Sequence, residues 1–231
     1  MNEYKLFING QWLASQTGGY IASVDPSTGE TIAKIAKASA ADAQRAIFAA
    51  KKAFDSDVWS SLSVEKRGKA LEKIAQAIRQ HAKELSEIES RDSGKTIKQT
   101  TFIDVPTCAE TFSHFAKIKK ELDTKKLSIA APVDSQVCYE PVGVVGAIAA
   151  WNYPLIFFGW KVAPALMAGN SVVYKPSSVA SLSVIRVFEI IEGILPKGVL
   201  NLVTGGREVG EELARSADVD MLTFTGGNQA G

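Results

Sequence analysis

Cysteine and histidine are scarce in this chain of 231 residues, with two of each. Cys108 and Cys138 are too few and too far apart for a disulfide framework or a zinc site. An excess of one charge is also missing: 26 Lys and Arg stand against 25 Asp and Glu, a formal net charge of +1. With no block of like charge, neither a nucleic acid nor an acidic lipid surface is expected as partner. The opening MNEYKLFING lacks the basic and apolar regions of a secretory leader. The longest apolar stretch, AAWNYPLIFFGWKVAPALMAGN from Ala149 to Asn170, is interrupted by Lys161 and Pro164, so no membrane span is expected. These absences point to a soluble protein of a reducing, cytoplasmic compartment.

What is present is a hydrophobic content of 46%, enough to build one large domain or two small ones. YKLFI and QWLAS flank Asn9-Gly10, a dipeptide suited to a two-residue hairpin turn, and YIASV and ETIAKIA bracket a second turn. Helical periodicity follows over Ala40–Phe54, with Ile47, Ala50 and Phe54 on one face. A longer helix is expected from about Ser63 to Ser90, with Leu71, Ile74, Ile78, Leu85 and Ile88 in a stripe and Gly94 at its C-terminal cap. A third, over Thr100–Leu122, should kink at Pro106. His81 and His114, on these helices, read as structural. KKLSIAAPVDSQVCYEP reads as two short strands forming an arm, placed at residues 121–140.

From residue 141 to 231 the pattern becomes regular. VGVVGAIAA, SVVYK, VLNLVTG and MLTFTG are strands, and helical segments lie between them. That alternation specifies βαβ units and a parallel sheet, so the fold class is α/β, Rossmann-like but incomplete, with N-terminal hairpins and helices. In such sheets ligands bind at the carboxyl ends of the strands. The loops there are AAWNYP, KPSSVAS, TGGREVG and FTGGNQAG, rich in glycine, hydroxyl or basic groups. TGGREVG is not a G-x-G-x-x-G fingerprint, and taken alone it reads as a tight strand–helix turn rather than a phosphate loop.

EPVGVVGAIAAWNYPL, the lysine of GWKVAPALMAGN, YKPS and FTGG, in that order and spacing, resemble the aldehyde dehydrogenase superfamily, as do FINGQW and ESRDSGK. The similarity covers essentially the whole chain. The block around WNYP and the FTGG variant resemble the betaine-aldehyde-dehydrogenase-like branch. The resemblance implies NAD or NADP as cofactor, an aldehyde as small-molecule substrate, and a homo-oligomer in a full-length form. It makes Asn152 the oxyanion donor, where the residues alone allow a cap for the helix at Leu155. It places Lys161 in a proton relay, where a lysine snorkelling from a helix is the alternative.

The resemblance further places Lys175, Ser177 and Ser178 at the cofactor's ribose, against a solvent-facing loop as the alternative. Ser178 stands where many members carry glutamate, and removing that carboxylate removes its repulsion of a 2′-phosphate. Ile148, Ala150, Trp151 and Asn152 would line the cofactor channel, with Gly206, Gly210, Phe224, Thr225, Gly226, Gly227 and Ala230 along adenine and pyrophosphate. Asp92 resembles a carboxylate that, with backbone near Ser23, Val24 and Val179, holds a monovalent cation such as K+. Its alternative is an aspartate in a solvated helix-terminal turn. The family's nucleophilic cysteine and its glutamate belong downstream of Gly231, and neither Cys108 nor Cys138 stands in the nucleophile's context. The chain is thus expected to be the N-terminal cofactor-binding half of an enzyme, inactive alone. A non-catalytic cofactor-binding or assembly module is the alternative.

Overall fold

The computed structural model describes residues 2–118, 122–128 and 133–231. The chain opens with β1 (Asn2–Tyr4), β2 (Leu6–Ile8), β3 (Gln11–Leu13), β4 (Tyr20–Val24) and β5 (Thr31–Ala36). Helices α1 (Ala40–Asp55), α2 (Val64–Gln80), α3 (Ala82–Ser93), the short α4 (Ile97–Gln99) and α5 (Val105–Phe115) follow. Strands β6 (Lys125–Leu127) and β7 (Ser135–Val137) pair antiparallel as the arm. The remainder alternates: β8 (Val144–Ile148), α6 (Pro154–Met167), β9 (Ser171–Lys175), α7 (Leu182–Ile190), β10 (Leu200–Leu202), α8 (Arg207–Arg215) and β11 (Met221–Phe224).

The main sheet has the order β11-β8-β9-β10-β2-β3. Its first four strands are parallel, and the β2–β3 hairpin extends it antiparallel beside β10. Asn9 and Gly10 turn that hairpin at φ 53° and 72°, both left-handed, as the dipeptide implied. The strands alternate between two cores, as a sheet covered on both faces must. Val144, Val173 and Val203 face the side of α1 and α8, with Ala46, Val209 and Leu213. Val145, Ala147, Val172 and Tyr174 face the side of α6 and α7, with Leu155, Phe158, Val162, Ile185 and Phe188. Beyond α6 and α7, helices α2, α3 and α5 form a further layer on that side.

Two helical expectations are corrected. The single helix over Ser63–Ser90 is two, broken at His81, whose φ of −104° and ψ of 18° leave the helical region. Its Nδ1 lies 2.9 Å from the Ala77 carbonyl oxygen, taking up part of the end of α2. The break lets α2 pack on α5 and α6 while α3 turns to α7. Gly94 does close α3, left-handed at φ 75°. The third helix ends at Phe115 rather than Leu122, and its irregularity is a π-helical segment at Thr100–Asp104, just before Pro106.

Helix α6 is held at its C-terminal end by two side chains from the outer layer. Trp59 Nε1 donates to the Leu166 carbonyl at 2.9 Å, and Arg67 Nε donates to the Met167 carbonyl at 2.9 Å. A guanidinium there also complements the negative end of the helix dipole.

Candidate cofactor and oxyanion site

The parallel strands end in register. Phe224 stands opposite Ile148, Ile148 opposite Lys175, and Leu202 opposite Tyr174. Hydrogen bonds continue one residue past the strands: Thr225 N to Ile148 O, Ala149 N to Lys175 O, and Val203 N to Tyr174 O, each 3.0 Å. The loops after β8, β9, β10 and β11 therefore leave the sheet side by side at one edge. Across them, a Cβ on Gly210 would lie 3.7 Å from Ile148 Cδ1 and 3.9 Å from Lys175 Cε, so α8 is seated against both side chains. Ile148, Lys175, Gly210 and the Thr225 backbone are thus brought together.

Around that edge the surface is open. Nothing lies within 4 Å of the position a Cβ would take on Gly206 or on Gly227. Gly206 is the N-cap of α8, whose first turn has no side-chain cap. Gly226 differs: a Cβ there would meet the exposed Phe224 ring, which would have to swing aside. Trp151 is exposed, Ala150 and Ser178 are half-buried, and Ala230 is exposed beside the Gly227 turn. Ser177 Oγ accepts from Val179 N at 3.4 Å, shaping the loop after β9.

Asn152, although it lies in the longest apolar stretch of the chain, is exposed. Nor is it the helix cap: Tyr153 is the N-cap of α6 and supplies no side-chain bond. Among the described residues the Asn152 amide has no hydrogen-bond partner. Lys161 does not snorkel into water. It is buried, and its ammonium donates 3.0 Å to Thr223 Oγ1 on β11. Burial pulls its pKa below the ordinary lysine value. Lys175 is also buried, its Nζ 3.4 Å from the Pro176 carbonyl oxygen, and burial lowers its pKa to about 8. The geometry places the Lys161 ammonium at β11 and Asn152 just before α6, with no hydrogen bond between them.

Asp92 is not in a solvated turn. It is buried, with Oδ1 accepting from Ser23 Oγ at 2.5 Å and Oδ2 from Leu182 N at 2.7 Å. The carboxylate caps α7, and burial raises its pKa against those hydrogen bonds. Each carboxylate oxygen accepts one hydrogen bond, which leaves lone pairs on both. Cys108 is fully buried, and burial pushes its thiol far above the usual range, as an inert cysteine requires.

Three charged residues were given no role from the sequence: Glu89 and Lys95, the two ends of ESRDSGK, and Asp104. Glu89 is fully buried, whereas Ile88, assigned to the apolar stripe, is half-buried. Leu85, Glu89 and Asp92 occupy the buried face of α3, at helical spacing. Glu89 accepts from Ser183 Oγ and from Leu155 N, and burial raises its pKa to about 7. Lys95 pairs with the buried Asp104. The spacing of Glu89 and Asp92 on one face of α3 was the available signal.

The protein-family model described as the aldehyde dehydrogenase family matches residues 12–231. Betaine aldehyde dehydrogenase of Bacillus subtilis (strain 168) is 43% identical over 98% of this chain and 46% of its own length. Mitochondrial benzaldehyde dehydrogenase of Antirrhinum majus is 39% identical over 98% of this chain and 43% of its own length. A solved structure of betaine aldehyde dehydrogenase from Staphylococcus aureus in complex with NAD+ superposes with a TM-score of 0.93 at 37% identity. That match covers 97% of this chain and 45% of that one. The chain spans about half the length of the curated relatives it matches.

Proposed function

Because this chain belongs to the aldehyde dehydrogenase family, we propose that it is the cofactor-binding portion of an NAD(P)-dependent enzyme oxidising an aldehyde to a carboxylic acid. The observation that supports this reading best is the shared edge formed by Ile148, Lys175, Gly210 and the Thr225 turn. A dinucleotide fits the residues present: open backbone at Gly206 and Gly227 admits phosphate, and α8 offers first-turn amides to it. Lys175 brings three donors and has one protein acceptor, leaving donors for ribose hydroxyls beside Ser177 and Ser178. Ile148 and Gly210 supply an apolar wall, and Ala150 and Trp151 lead toward Asn152. When bound, the cofactor supplies the hydride acceptor.

Asn152 carries the chemistry assigned to this portion. A free side-chain amide at the head of α6 can donate to the oxygen of an attacked aldehyde, and one such donor contributes about 2.7–4 kcal/mol in comparable sites. Lys161, partly desolvated and held by Thr223, is suited to passing a proton. The nucleophile and the hydrolytic base are assigned to the part of the relatives this chain does not span. A monovalent cation such as K+ beside Asp92 would use the lone pairs that the bonds from Ser23 and Leu182 leave on its carboxylate.

Calorimetric titration of the chain with NAD+ and with NADP+ tests the reading. Saturable binding of both with comparable dissociation constants is expected, since Ser178 offers no carboxylate to repel a 2′-phosphate. Strong preference for NAD+ would remove NADP+ from the proposal, and no binding of either would remove the cofactor site. Incubation with aldehydes should produce no reduced-cofactor absorbance. Turnover would show the chain catalytic by itself.

A second reading, an assembly module, is favoured by the β6–β7 arm, where Leu127, Val137 and Tyr139 are exposed. Cofactor binding together with pairing to full-length relatives would support it.

A further inference from the structure

The head of α6 is built with few of its own resources. Pro154 has no N–H, and Tyr153, its N-cap, gives no side-chain acceptor, so Leu155 carries an early free amide of a buried helix. That amide donates 3.4 Å to Glu89 Oε1, reaching across from α3. The other oxygen of Glu89 accepts from Ser183 on the first turn of α7. The Lys95 ammonium stands 3.8 Å from the centroid of the Tyr153 ring. A cation so placed over an aromatic face is attracted by its quadrupole. Lys95 follows Gly94 directly, and a Cβ at Gly94 would lie 2.6 Å from Pro26 Cγ, so the bend between the two residues tolerates no side chain.

A hydrocarbon side chain could fill the place of Glu89 with less desolvation. A carboxylate adds direction, since it selects one amide and one hydroxyl. We propose that Glu89 and Lys95 are positioning residues for Asn152: they hold Leu155 and Tyr153, which follow it in the chain, and so set where the Asn152 amide stands. The proposal rests on Asn152 being the oxyanion donor of the reading above. The groups facing Glu89 are the Leu155 amide on α6, Ser183 on α7, Lys95 after α3, Asp104 on the π-helical segment, Cys108 on α5 and Tyr174 on β9. Lys95 and the two donors favour the carboxylate, while burial and Asp104 oppose it, and the group titrates at about 7.

Amide-resolved nuclear magnetic resonance on the isotopically labelled chain tests this without turnover. In the wild type the Leu155 amide should exchange slowly and shift with pH around a midpoint near 7. Glu89→Gln keeps an acceptor oxygen, so protection should persist while the titration disappears. Glu89→Ala should speed Leu155 exchange about tenfold and lower the heteronuclear Overhauser effect at Asn152. Tyr153→Leu, which removes the ring under Lys95, should lower it at Asn152 while Leu155 stays protected. Unchanged Leu155 exchange in folded Glu89→Ala, or an unchanged Asn152 signal in both that variant and Tyr153→Leu, overturns the proposal. Should Glu89→Ala not fold, a pH-dependent Leu155 shift persisting in Glu89→Gln overturns it instead. Failure of the dehydrogenase reading shows separately, as absent NAD+ binding by the wild type.

Discussion

Glu89 and Asp92 are buried on one face of α3, and Lys161 and Lys175 are buried toward the strand ends. Each carboxylate has donors on both oxygens, drawn from Ser183, Leu155, Ser23 and Leu182. Each lysine has three donors and, among the described residues, one hydrogen-bonded acceptor: Thr223 for Lys161 and the Pro176 carbonyl for Lys175. Buried polar groups are normally satisfied, and those left short mark a place where something else binds. The two carboxylates of α3 are thus satisfied by donors of the protein, although Asp104 Oδ1 and Ser181 Oγ close by are not, among the described residues, whereas the two lysines near the rim of the sheet keep donors available.

The strongest way to break that comparison is Glu89→Ala. It leaves the Leu155 amide and the Ser183 hydroxyl buried without a partner, and about 3 kcal/mol of unfolding free energy should disappear in urea titration. The same group gives a pH test. Its folded pKa of about 7 exceeds the ordinary 4.5, so the folded state holds a proton that the unfolded state has released. Wild-type stability should therefore fall as pH rises between those values, and Glu89→Gln should flatten the slope.

Lys175→Met should act oppositely. NAD+ affinity falls by about 1.5 kcal/mol, roughly tenfold, by calorimetry, while stability holds or rises because a desolvated ammonium is gone. The smallest effect sharpens the contrast between two glycines of the rim. Gly226→Ala meets the Phe224 ring and should lose about 1 kcal/mol. Gly206→Ala has room at a negative φ, so melting should be unchanged within about 0.5 kcal/mol while cofactor binding weakens.

Much of the fold could be read locally. The four parallel strands, the Asn9-Gly10 turn and the Gly94 cap follow from periodicity and from backbone conformations that few residues adopt. What escaped depends on contacts distant in sequence. The break at His81 reflects what α2 and α3 pack against, and the β2–β3 hairpin joins the sheet through β10, nearly two hundred residues onward. Glu89 gives no local sign of burial because its neighbours come from α5, α6, α7 and β9, and Asp92 could be read as solvated because its partners, Ser23 and Leu182, lie far off in sequence. At the rim, the ordered motifs located Lys175 and Gly210, yet the Thr223 partner of Lys161 lies on another strand, invisible to any local pattern.

Helix α6 is gripped at both tips by residues 59–95: Glu89 and Lys95 at its head, Trp59 and Arg67 at its tail. A rod clamped that way inherits the stiffness of an outer layer that contributes no group to the cradle. An insertion at the α2–α3 joint would tilt the rod and swing Asn152 with it. Drift in those remote helices would therefore displace Asn152, the proposed oxyanion donor, while every loop at the strand ends keeps its sequence.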